Sequence, residues 1–214
     1  MTLLAALWVA TVTMNLWAQT VSSPNGKMQL SFAINDGVPT YAVDYKGAPV
    51  IRASRLGFDL QGAQDLLEGF SVVSIEEATF DEVWEPVWGE ETHIRNHYNE
   101  LLVHLVQNKV GRTMDIRFRV YDDGFGLRYE FPRQKKLTYF TVAEERTEFA
   151  LTGDHKALWI PGDYDTQEYD YFDSRLSEIG AISAKWNTDN ASTTRFSDWG
   201  VQTAITMKSD EGIY

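Results

Sequence analysis

An all-β, antiparallel fold, sandwich or barrel, is the architecture this sequence predicts. Three observations point to it. Apolar residues alternate with polar ones in short segments along the chain. Gly, Asn and Asp turns separate those segments. No long stretch keeps a 3.6-residue apolar period.

The elements follow in order. Met28, Leu30, Phe32 and Ile34 alternate with Lys27, Gln29, Ser31 and Ala33, giving a strand with one buried face. Asn35-Asp36-Gly37 predicts a hairpin turn, because these residues tolerate positive φ. Tyr41, Val43 and Tyr45 continue the alternation, and Lys46-Gly47 turns the chain again. Val50-Ile51, Leu56–Leu60 and Phe70–Ile75 predict further strands, with a polar loop from Gln61 to Gly69. Leu101–Val106 is a dense apolar run. Met114, Ile116, Phe118 and Val120 alternate with Asp115, Arg117 and Arg119. Asp122-Asp123-Gly124 predicts a turn, and Leu127, Tyr129 and Phe131 the strand after it. Val201, Thr203, Ile205 and Met207 repeat the pattern, and a short helix is expected within Glu168–Ile179. With no repeat, low-complexity tract or linker, one domain is the simplest organisation.

Composition narrows the function classes. Aromatic residues make up 13% of the 214 residues, too many large apolar groups for a disordered chain. They suit a thick sheet core or sugar-stacking surfaces. The formal net charge is −12, which disfavours binding to phosphate backbones, so no nucleic-acid partner is expected. With 0 Cys, no disulfide, thiolate zinc site or cysteine nucleophile can form.

Met1–Ala18 is uncharged, and its apolar stretch is too short to cross a bilayer comfortably, so no membrane span is expected. It reads as a signal peptide with an atypical first region, followed by a domain over residues 19–214. A periplasmic or exported location follows from that reading. At the other end, Lys208–Gly212 reads as a turn and Ile213-Tyr214 as the start of a strand. The natural chain is therefore expected to continue.

Three polar, aromatic stretches are badly patterned for core strands: Trp84–Glu91, Ile94–Leu101 and Trp159–Tyr171. In the third, Asp163, Asp165, Glu168 and Asp170 follow Pro161-Gly162 on what should be a loop. Such carboxylates read either as a solvated acidic loop or as contributors to a hard-cation site such as Ca²⁺. The spacing is not that of an EF-hand. His97, beside Arg95, Asn96 and Asn99, could bond sugar hydroxyls, a partner surface or simply its neighbours. No Ser/His/Asp arrangement, phosphate loop or His-x-His pair is evident.

The segments FDEVWEPVWGE (Phe80–Glu90), IRNHYNEL (Ile94–Leu101), FRVYDDGFGLRYEFP (Phe118–Pro132) and GDHKALWIPGDYDTQEYDY (Gly153–Tyr171) closely resemble the N-terminal domain of glycoside hydrolase family 97. The opening SSPNGKMQLSF and the hairpin PTYAVDYKGAPVI are similar too. The resemblance implies an antiparallel β-supersandwich, a galactose-mutarotase-like two-sheet fold. It also implies a (β/α)₈ catalytic barrel after it in the same chain and a small C-terminal β-domain. The family holds calcium-dependent inverting α-glucosidases and retaining α-galactosidases that act on α-linked oligosaccharides. In the inverting branch one Ca²⁺ ligand is a glutamate of the N-domain, and its match here is Glu168. The catalytic acid and base belong to the barrel, so no catalytic residue is expected in these 214 residues. Trp88, Arg95, His97, Asp163, Tyr164 and Asp165 are expected to line the pocket rim or the domain interface. Glucoside or galactoside preference and inverting or retaining outcome stay open. A stand-alone carbohydrate-binding module and a purely structural docking domain are the competing readings.

Overall fold

The computed structural model describes residues 18–164, 167–185, 197, 199–210 and 212. It forms two compact units, Met1–Ala150 and Leu151–Tyr214. No composition shift marks that boundary, which is why the sequence reads as one domain.

The first unit is a sandwich of two antiparallel four-stranded sheets. One runs β1 (Gln19–Ser22), β2 (Met28–Asn35), β3 (Val38–Tyr45) and β4 (Ala48–Arg55), in that order. The other runs β6 (Phe70–Trp84), β7 (Ile94–Gln107), β8 (Arg112–Val120) and β9 (Phe125–Glu130). A two-stranded ladder pairs β5 (Phe58–Leu60) with β10 (Val142–Glu145). Between β2 and β3 only Asp36 and Gly37 intervene, with φ of 50° and 82°. Positive φ at both positions gives the backbone twist that a two-residue hairpin turn requires.

The alternation predicted for β2 and β8 holds. Leu30 and Phe32 from one sheet, and Met114, Ile116, Phe118 and Val120 from the other, are fully buried. The sheets meet through aromatic rings. Phe118 lies 5.9 Å from Phe32 and 6.2 Å from Tyr41, centroid to centroid. Tilted aromatic pairs of this kind contribute about 0.5–1.5 kcal/mol beyond their buried area.

The loop between β5 and β6 is fastened from below. Gln107 Nε2 donates to the carbonyls of Asp65 and Glu68, both at 2.9 Å. Buried Arg112 donates to the carbonyls of Gln64 and Asp65 and, through Nε, to Gln107 Oε1 at 2.9 Å. Desolvation lowers the pKa of Arg112.

The second unit contains a three-stranded sheet in the order β12 (Phe172–Arg175), β11 (Lys156–Trp159), β13 (Thr206–Lys208). A 3₁₀ turn over Leu176–Glu178 leads into α1 (Ile179–Lys185). The helix thus begins where the predicted window ends. The acidic stretch before it carries no apolar stripe that a helix could bury. Ala157, Trp159 and Ile179 form the core of this unit. Trp159 is fully buried, donates from Nε1 to Ser174 Oγ at 3.0 Å and stacks on Phe172. Of the strand predicted around Val201–Met207, only β13 and an isolated bridge from Val201 to Pro161 form.

The expected signal segment falls on residues of which all but Ala18 lie outside the described ones. Glu211, Ile213 and Tyr214, part of the expected C-terminal turn and strand, lie outside them as well. No helix among the described residues is long and apolar enough to cross a membrane.

Candidate functional site: an acidic loop on the second unit

The loop that carries the acidic motif joins β11 to β12, and its two ends are paired. Trp159 and Phe172 stand opposite each other in the ladder. The first half of the loop is tied to the segment around Val201. Gly162 N donates to Gly200 O at 2.8 Å, and Gln202 N donates to Ile160 O at 3.0 Å. Gln202 Nε2 donates to the carbonyl of Asp163 at 2.9 Å.

The second half folds back onto the first. The Tyr169 hydroxyl donates to the Asp163 carboxylate, and both residues are buried, each 7% exposed. Asp163 is thus a loop-closing residue. With Tyr169 turned inward, its neighbours Gln167, Glu168 and Asp170 are exposed, as is Tyr164. Asp165 lies outside the described residues. One loop therefore keeps one carboxylate inside to hold its shape and presents Glu168 at its surface.

Calcium requires six to eight oxygen ligands. Among the described residues no three His, Cys, Asp or Glu side chains stand close enough together to hold a metal ion. These residues do not by themselves build a full calcium shell.

The other three expected site residues belong to the first unit, on the β6–β7 hairpin. These two strands pair from Phe70↔Gln107 out to Trp84↔Ile94. The pairing of β7 with β8 stops at Asn99↔Val120. Beyond it, Phe80–Trp84 and Ile94–Tyr98 form a two-stranded arm, capped by a loop over residues 85–93. Arg95 grips Asp81 through two hydrogen bonds of 2.8 Å, one each from Nε and Nη2. That guanidinium holds the Asp81 carboxyl below its ordinary range. His97 faces Asp81 across the ladder and is half-buried. Trp88, at the tip, is 89% exposed. Arg95 and His97 are thus brought together around Asp81, a partner the sequence alone does not single out. The signal that could have found it is the register of a long hairpin, which the broken alternation at the arm conceals.

An all-β module with an acidic loop on a small second unit is the class these observations define. Residues 21–214 match the family model described as Glycosyl-hydrolase 97 N-terminal, and the chain belongs to that family. It is similar to a glycoside hydrolase family 97 enzyme from Pseudoalteromonas sp. strain K8. The structure of that enzyme in complex with acarbose shares 27% identity with a TM-score of 0.75, covering 90% of this chain and 27% of that one. A variant of the same enzyme in complex with panose shares 29% identity with a TM-score of 0.70, over 73% and 24% of the two chains. A β-arabinopyranosidase shares 25% identity with a TM-score of 0.66, over 74% and 27%. The chain thus spans about a quarter of the length of the solved enzymes it matches.

Proposed function

We propose that this chain is the N-terminal domain of an exported, calcium-dependent α-glucosidase-like enzyme, and that Glu168 lends one carboxylate to an active-site Ca²⁺. The other ligands, with the catalytic acid and base, belong to a (β/α)₈ barrel of the same polypeptide. On this reading the chain is inactive alone. The observation that carries the proposal is the loop geometry. Tyr169 and Asp163 lock the loop from inside, and Glu168 stands at its surface.

A bound Ca²⁺ would orient the substrate and stabilise charge developing in the transition state. The role of Glu168 is limited to holding the ion, with no proton transfer assigned to it. Inverting hydrolysis needs one acid, one base and room for a water between them. The α-glucoside substrate class is supported by the panose and acarbose complexes of the similar enzyme. Export is supported by the short apolar run within Met1–Ala18 and by Ala18-Gln19 as a cleavage point.

The test is Glu168→Gln in the full-length enzyme. Calcium affinity should fall about tenfold or more, equivalent to roughly 1.4 kcal/mol, and turnover should fall with it. Unchanged calcium affinity would remove the proposal. A second reading, a sugar-binding module, draws on the exposure of Trp84 and Trp88. Calorimetric titration with malto-oligosaccharides checks it, and no heat at millimolar ligand counts against it.

A further inference from the structure

We propose that the β6–β7 arm is a docking arm for the catalytic domain of the same enzyme, seating its aromatic tip in an apolar recess rimmed by lysine and arginine. The inference rests on the reading that this chain works beside a catalytic domain, and it assigns the contact to a particular element.

The arm is anomalous in two ways. Its outer half is paired on one edge only, since β8 stops at Val120. A lone two-stranded ribbon is marginally stable in water. It also displays large apolar groups. Trp84 is 46% exposed, Val83 58%, Trp88 89% and Val87 101%. Ladder pairing puts Trp84 and Ile94 opposite each other, so they add to one face of the arm. Val83 lies on the other face, and Val87 and Trp88 sit in the loop beyond, so large apolar groups are exposed on both faces and at the tip.

Charge selects the occupant. Across the arm and its loop, residues 80–98, five carboxylates, Asp81, Glu82, Glu85, Glu90 and Glu91, stand against one arginine, Arg95, which pairs with Asp81. A complementary surface is therefore basic around an apolar centre. A second copy of this chain fits poorly, because its net charge of −12 repels an acidic arm. Nucleic acid is excluded by the same sign of charge. A protein surface within the same polypeptide also gains from tethering, which raises its effective concentration.

Hydrogen exchange on the full-length enzyme tests the assignment. The amides of residues 85–92 lie outside the β6–β7 ladder, so slow exchange there reports a cover. They should exchange about tenfold or more slowly than an open peptide at low salt. Trp84→Ala/Trp88→Ala, or high salt, should abolish that protection. Tip amides that exchange freely in the wild-type enzyme would overturn the proposal. So would protection that appears only with added malto-oligosaccharide, which would make the arm a sugar platform. Protection that rises with enzyme concentration would also overturn it, in favour of a second copy. A protected tip in an enzyme whose calcium affinity ignores Glu168→Gln leaves this proposal standing and removes only the calcium reading.

Discussion

Tyr169 reaches back across six positions to donate its hydroxyl to the Asp163 carboxylate, closing the acidic loop from within. Removing that hydroxyl by Tyr169→Phe leaves the ring packed but the buried carboxylate short of a donor. The expected cost is about 1–3 kcal/mol in the stability of the second unit. Chemical denaturation of the full-length enzyme checks it. Calcium affinity should fall too, because Glu168 is the residue immediately before this anchor.

Arg112 and Gln107 form a second anchor, beneath the β5–β6 loop. Arg112→Met removes the guanidinium and leaves the Gln107 side chain and the carbonyls of Gln64 and Asp65 without that donor. A loss of about 2–4 kcal/mol is expected from such unsatisfied groups. The midpoint of urea unfolding should shift, with little change in calcium affinity.

Core packing gives a third expectation. Phe118 is fully buried between the sheets, against Phe32 and Tyr41. Phe118→Ala should cost about 3–5 kcal/mol, since the two sheets cannot collapse fully onto the void. Phe118→Leu should cost less, and the difference between the two variants measures the cavity contribution.

Two titrations predict opposite limbs of the pH–stability curve. Glu130 is held down from its ordinary 4.5 to about 2, chiefly by the hydrogen bond from Arg117 and, against the pull of burial, by Arg128 as well. Its contribution is present above the unfolded value and is lost as pH falls from about 4.5 through 2. Glu130→Gln should flatten that acid limb.

His104 behaves the other way. Burial opposes its protonation, but hydrogen bonds to Asp115 and Glu76, at 3.0 and 3.1 Å, outweigh it and raise the pKa above 6.5. That stabilisation is complete below 6.5 and is lost as pH rises through the raised value. His104→Gln should remove this loss, as read by unfolding free energies from pH 6 upward.

Much of the sandwich was legible because half of each core strand is buried. Leu30 and Phe32 in β2, and Met114 to Val120 in β8, alternate cleanly, and Asp36-Gly37 carries its turn chemistry in its residue types. The arm was not legible, because beyond Asn99 only Tyr98 is buried, too little to impose a pattern. The short strands β10 to β12, four residues each, were missed for want of length. In the acidic loop, composition and resemblance pointed to Glu168. Nothing local distinguished Asp163, whose role depends on a backbone that brings Tyr169 round to meet it.

Strand β7 runs unbroken from Ile94 at the arm to Gln107 at the anchor beneath the β5–β6 loop. Because side chains alternate from face to face, sliding β7 by one residue would turn Leu101, Val103 and Leu105 out of the core. Changes in loop length at the tip must therefore be absorbed within residues 85–93 and cannot be passed down the strands. The arm can vary in what it displays, but its phase is set by the hydrophobic interior some distance away.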